Sequence, residues 1–243
     1  MGHDPLVIHD VLPESWRSRW RIGLALILAV INIGGFFPSR RPPSTASTGV
    51  LRQGSPRWPW MSITVDTGTG GDPDRLLSLF AQLQVPVTFF VSGPPRTWWR
   101  FATRDGMTIE SQTFGHINLT THTTRQDEQD LIASLAAIRQ ATGRRPYFLR
   151  PPYGAVDTRV IRLATRLGLH VVLWTPGHYI ASAASEGHVL EGLLAHAGPG
   201  VILAISDEPP AAPLRLALTV AVESFRAEGY RLVPLAQLLR GPG

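Results

Sequence analysis

Short apolar runs alternate with amphipathic stretches along most of this chain, and the alternation predicts its elements. Ser62, Ile63, Thr64, Val65 and Asp66 read as a strand. Leu76, Leu77, Phe80 and Leu83 recur at helical spacing within residues 73–84. β-Branched and aromatic residues over 85–91 predict a second strand, and 107–112 predicts a third. Residues 124–141 read as a helix, with Thr124 as its N-cap and Asp127 three residues on. Leu131, Leu135 and Ile138 share one face of it. The pattern continues with a strand at 147–150, a helix at 156–167, a strand at 169–174 and a helix at 185–197. A strand at 201–206, a helix at 214–228, a strand at 231–233 and a helical turn through Leu239 complete it.

Repeated β-then-α units require a parallel sheet with helices outside it, and about seven of them close most naturally as a barrel. Barrels of this kind place their chemistry at the C-terminal ends of the strands. Asp66, Gln112, Arg150, Trp174 and Ser206 all fall at predicted strand ends, so they are expected to face one pocket. Strand ends also collect polar residues simply because the chain turns there.

The N-terminal part breaks this pattern. From Ile22 to Phe37 the chain reads IGLALILAVINIGGFF, without a charge, after Arg17, Arg19 and Arg21 and before Arg40 and Arg41. The run is shorter than the ~20 residues of a typical spanning helix, and Trp16 and Trp20 extend it as interfacial anchors. A buried helix is the alternative, but the basic flanks favour a signal-anchor or export signal. The expected organisation is a tail at 1–21, this hydrophobic helix at 22–37, a linker at 38–57 and a globular domain at 58–243. The linker is rich in Pro, Ser, Thr, Arg and Gly and has no apolar period. No small-x-small cleavage site follows the run, which favours a membrane anchor with the domain outside the cytoplasm over a secreted form.

Composition adds exclusions. With 243 residues and 44% hydrophobic content, the chain is long and apolar enough for one well-buried domain. All 23 basic residues are Arg, and the formal charge is +5. The arginines are scattered rather than laid in a stripe with aromatics between them, which argues against nucleic acid as a partner. A membrane or an acidic envelope polymer suits such a surface equally well. The absence of cysteine excludes disulfides and thiolate metal sites.

Three segments carry candidate chemistry: ITVDTG at 63–68, RPPYG at 150–154 and GVILAISD at 200–207. Each is an apolar run ending in a polar, turn-forming tip. Together with VTFFVSG at 87–93, GRRP at 143–146 and GYRLV at 229–233, they resemble the polysaccharide deacetylases of the NodB-homology type, carbohydrate esterase family 4. The likeness runs from about Trp58 to Leu239. It implies an α/β fold, an irregular (β/α)7–8 TIM-like barrel. It also implies a divalent metal, usually zinc, held by one Asp and two His, which polarises an acetamide carbonyl and activates water. A second Asp is the base and a His the acid.

Carried onto this chain, the resemblance puts Asp66 at the base position and Ser206 at the position of the acid His. His116 falls on one metal position, while Thr67 and Gln112 stand where the other two ligands belong. Gly177 replaces the Asp that pairs with the motif arginine, so Arg150 is expected to lack that partner. Pro151, Tyr153, Gly154 and Trp174 are the expected substrate-binding residues. A hydroxyl and an amide are poor ligands for such a cation, so no cofactor is expected although the family implies zinc. Loss of the acid alone removes about 10²–10⁴ in rate. The expected function is a cell-envelope protein that binds a cell-wall or extracellular polysaccharide, or a protein partner, without efficient catalysis. One alternative is an active carbohydrate deacetylase rebuilt with His178, His122 or Asp72 as ligands. Another is a serine hydrolase assembled from Ser206, His116 and Asp66, although no nucleophile-elbow sequence surrounds Ser206. The Trp98–Trp99 pair is expected to pack in the core rather than form a membrane or partner patch.

Overall fold

A strand with no exposed residue organises the domain. This is β1 (Trp60–Thr67), in a computed structural model that describes residues 49–67, 73–180, 186–195, 197–207 and 212–242. Burial on both faces marks the central strand of a parallel sheet covered by helices. On one edge β1 pairs with β2 (Thr88–Val91), and on the other with β7 (Ile202–Ser206). Beyond them lie β3 (Thr108–Ser111), β4 (Phe148–Leu149) and β5 (His170–Val171) on one side and β6 (Tyr179–Ile180) on the other. β8 (Arg231–Leu232) joins β1 at Trp60 and Met61. All of these pairings are parallel. Between the strands run α1 (Pro73–Gln82), α2 (Thr97–Arg104), α3 (Thr124–Thr142), α4 (Thr158–Arg166), α5 (Glu186–Ala195) and α6 (Ala212–Ala227), and α7 (Leu235–Arg240) follows β8. The sheet is curled into the half-barrel that the sequence pattern predicts.

The register fixes what faces inward. Asp66 lies opposite Phe90 on one side and Ser206 on the other, and Phe90 opposite Glu110. Trp60, Phe90, Phe148, Val172 and Ile202 form an inner cluster, against which Leu235 and Leu238 of α7 pack. An outer cluster joins Leu149 and Val171 of the sheet to Leu131 of α3 and Val160, Leu163 and Ala164 of α4. The buried carboxylate of Glu110 accepts hydrogen bonds from the Tyr147 and Phe148 amides, 2.7 and 2.8 Å, and so fixes the start of the short β4.

Three expectations need correction. The linker does not extend to residue 57, because residues 51–54 are part of the barrel wall. Leu51 bridges to Val172, with its amide donating to the Val171 carbonyl and its carbonyl accepting from the Leu173 amide, both at 2.9 Å. Gln53 bridges to Val201, and the Gly54 amide donates to the Gly200 carbonyl at 2.7 Å. Main-chain pairing needs no apolar period, so composition alone hides it. The cap of α3 is a Thr123–Gln126 capping box, one residue before the expected Thr124 and Asp127. Asp127 is instead buried and paired with Arg159 of α4. Finally, α2 and β6 were absent from the periodicity. In α2 the buried residues are Trp98, Trp99, Ala102 and Thr103, too few aliphatics to register as a helical stripe. Trp98 meets the edge of Phe89 at 5.3 Å, so the tryptophan pair is packing, as expected.

The tail 1–21, the hydrophobic run 22–37, residues 38–48 and Asp72 lie outside the described residues. Among the described residues no helix is long and apolar enough to cross a membrane.

Gly54 and Gly200 meet more closely than side chains allow. A Cβ on Gly200, where φ is +80°, would lie 2.6 Å from the Gly54 carbonyl oxygen. Gly200→Ala is therefore expected to cost about 2 kcal/mol or more, which thermal unfolding reads as a fall in Tm of about 4 °C or more.

Candidate functional site

The site is built from the inside of the barrel outward. Arg150 follows β4 and has no exposed surface. Its Nη1 donates to Asp66 Oδ1 at 2.6 Å and to Thr64 Oγ1 at 2.8 Å. The Thr64 hydroxyl in turn donates to the Leu203 carbonyl at 2.9 Å. The guanidinium lies 4.0 Å from the centre of the Phe90 ring, with the Trp174 ring at 5.9 Å. A buried cation demands such partners. Arg150 has no carboxylate at position 177 and pairs with Asp66 instead. Nε and Nη2 are the atoms without a hydrogen bond. Gly177 carries no side chain that could serve them, and a Cβ there would meet nothing within 4 Å.

Burial pushes the Asp66 carboxyl above the ordinary carboxylate range, and the charge and hydrogen bond of Arg150, then the charge of His116, pull it part of the way back. The carboxyl lies at the wall of an open cleft of about 360 Å³, lined by Asp66, Gln112, His116, Pro151, Tyr153, Trp174, Tyr179 and Ser206.

Gln112 and His116 come from the loop between β3 and α3. Its backbone is tightly constrained, with Thr113 and His116 both in the left-handed region, at φ 67° and 52°. Such non-glycine conformations persist only where the surroundings impose them. Here Asp130 of α3 does so. Its two carboxylate oxygens accept from the Phe114 and Gly115 amides at 2.7 and 2.8 Å. The Phe114 carbonyl accepts from the Gly93 amide at 2.8 Å, and the Ser92 hydroxyl donates to the Gln112 carbonyl at the same distance. Sequence reasoning missed Asp130, because a carboxylate on an exposed helix face looks like an ordinary solvated one. The glycine at 115 was the available hint: a Cβ there would sit 3.0 Å from Asp130 Oδ2.

The RPPYG segment forms the opposite rim. Residues Pro152–Gly154 make one 3₁₀ turn, in which Tyr153 adopts φ 63° and stands 72% exposed. The Tyr153 ring meets His116 edge-on at 5.2 Å. Gly154 does not line the cleft but lets Trp174 pack close, since a Cβ would lie 3.1 Å from Trp174 Cη2. Trp174 and Tyr179 form a tilted pair with centroids 4.6 Å apart. The cleft therefore has aromatic walls and a polar floor, with Ser206 beside Asp66 at the end of β7.

The remaining residues fall elsewhere. Thr67 is absent from the cleft lining, and its hydroxyl donates to the Phe90 carbonyl at 3.1 Å. His122 and His178 also stay outside it, with Nδ1 held by the carbonyls of Asn118 at 2.9 Å and Pro176 at 2.7 Å. For a metal, the donors among the described residues lining the cleft are one imidazole and one carboxyl already bonded to Arg150, beside a neutral amide and a hydroxyl. Among the described residues no group of three His, Cys, Asp or Glu could hold a metal ion. These described donors are a poor match for zinc, which takes imidazole and carboxylate ligands. A catalytic triad needs its carboxylate on the imidazole, but Asp66 Oδ1 is on Arg150 and His116 packs on Tyr153.

Removing Arg150 tests how the pair holds Asp66. Arg150→Met leaves a buried carboxyl without its cation, at an expected cost of about 3 kcal/mol or more at neutral pH. A carboxyl whose folded pKa is raised contributes stability at low pH that is lost as pH rises through that pKa. The variant should thus recover part of its Tm near pH 4 and lose it toward pH 8, with a steeper slope than the unsubstituted protein in thermal melts across that range.

Comparison with known proteins agrees with the fold. The polysaccharide deacetylase family profile matches residues 54–172. A chitin deacetylase of Amylomyces rouxii is 30% identical over 116 residues, covering 46% of this chain and 28% of that protein. The peptidoglycan-N-acetylglucosamine deacetylase PgdA of Listeria monocytogenes is 27% identical over 186 residues, covering 73% of this chain and 38% of that protein. The chain thus spans well under half the length of these relatives. A solved CE4 family pseudoenzyme from Bacillus anthracis aligns over 79% of this chain and 69% of its own with a TM-score of 0.70 at 18% identity, a likeness of fold alone. The parallel half-barrel, the motifs at its strand ends and the family match over residues 54–172 support a NodB-type polysaccharide deacetylase domain, of carbohydrate esterase family 4, in this chain.

Proposed function

We propose that this protein binds a cell-envelope glycan and lacks efficient deacetylase activity. The observation that carries the reading is the donor set at the cleft. Asp66, at the base position, is held in place by Arg150 at 2.6 Å. His116 reaches the cleft from one metal position, while Gln112 stands at a second and the Thr67 hydroxyl is turned to the Phe90 carbonyl. Ser206 occupies the acid position, and a serine hydroxyl is no proton donor near neutral pH. Among the described residues nothing at the cleft replaces a Lewis acid that would activate water and stabilise the developing charge.

What the cleft retains suits a sugar. The rings of Trp174, Tyr179 and Tyr153 offer apolar faces for the C–H face of a pyranose, and the floor offers polar groups for its hydroxyl or acetamido edge. The relatives are named for chitin and peptidoglycan, which makes an N-acetylglucosamine polymer the first ligand to test. Pro151 lines the cleft and Gly154 backs Trp174, so both shape the sugar site. The run 22–37 would tether the domain outside the cytoplasm beside such a polymer.

Acetate release from chitotetraose in the presence of zinc tests this reading. The unsubstituted protein should release none above background. Thr67→Asp, Gln112→His and Ser206→His combined should release acetate in a zinc-dependent way. Turnover by the unsubstituted protein would overturn the proposal.

A further inference from the structure

Gln112 is anchored by its backbone and unsatisfied at its tip. Its amide donates to the Val91 carbonyl at 2.9 Å, and its carbonyl accepts from Ser92. The side chain lines the cleft and is only 5% exposed, yet Oε1 accepts no hydrogen bond. Buried side-chain acceptors are almost always paired, and an unpaired one lowers stability. A methionine or leucine would fill a similar volume without that cost. Keeping a glutamine here is understandable if its oxygen is used when the cleft is filled.

We infer that Gln112 is a ligand-contacting residue whose Oε1 accepts a hydrogen bond directly from an N–H or O–H group of the bound sugar, without a metal between them. This rests on the glycan-binding reading above and extends it to the chemistry of the group recognised. Gln112 shares the lining of the cleft with Asp66 and Ser206 and with the rings of Trp174 and Tyr153. A pyranose stacked on those rings turns its equatorial substituents toward that floor. A neutral donor fits better than the ammonium of a deacetylated sugar, because Arg150, fully buried against Asp66, offsets the one carboxylate present. An acetamido N–H and a ring hydroxyl share this chemistry.

The test is titration of chitotetraose and cellotetraose, in excess EDTA, into the unsubstituted protein and Gln112→Met, with a thermal melt of each. The unsubstituted protein should bind at least one of them. Gln112→Met should bind about tenfold or more weakly and should melt at the same or a higher temperature, since the orphan acceptor is gone. Preference for chitotetraose assigns the acetamido N–H, and equal binding assigns a hydroxyl. Undiminished binding by Gln112→Met, a lower melting temperature for that variant, or binding by the unsubstituted protein only when zinc replaces EDTA would each overturn the inference and leave the glycan reading in place. Absence of binding to either sugar by the unsubstituted protein, with or without zinc, would instead overturn the glycan reading, and this inference with it.

Discussion

A guanidinium with no exposed surface sits at the mouth of the barrel, and the geometry of the cleft depends on how it is neutralised. Arg150 reaches from the end of β4 to Asp66 and Thr64 on β1, and lies on the ring of Phe90 from β2. Thr64 passes the contact on to β7 through the Leu203 carbonyl. One side chain thereby ties four strands together where the cleft opens. The ion pair also fixes Asp66, whose carboxyl would otherwise be costly to bury.

Beside that pair the described residues of the cleft offer few groups to a metal. Thr67 sits in register with Val91 at the end of β1 and directs its hydroxyl to the Phe90 carbonyl. Gln112 keeps the position and burial of a ligand but offers a neutral amide. Ser206 holds the same register beside Asp66 that a proton-donating imidazole would need. None of these residues disturbs the sheet, because each is a polar residue at a strand end. The loop that presents His116 is still held by Asp130 in a conformation that has no other evident reason to be strained.

Much of this was legible in the sequence. Asp66, Gln112 and Ser206 fall on one cleft because parallel strands end on one side of a barrel. The RPPYG turn announced itself by its residues, although the left-handed φ of Tyr153 did not. What the sequence hid is interaction at a distance. The partner of Arg150 is 84 positions away, and the missing carboxylate at 177 gave no pointer to it. Asp130 and the wall formed by Leu51 and Gly54 act through backbone amides and carbonyls, which leave no trace in side-chain periodicity.

The account turns on whether the cleft has kept its scaffold and given up its metal. The most direct measurement is X-ray diffraction at the zinc absorption edge from crystals of the protein grown with excess zinc. The account predicts no anomalous peak between His116, Gln112 and Asp66, with Arg150 Nη1 still on Asp66. An anomalous peak within bonding distance of His116 and a second cleft residue would contradict it.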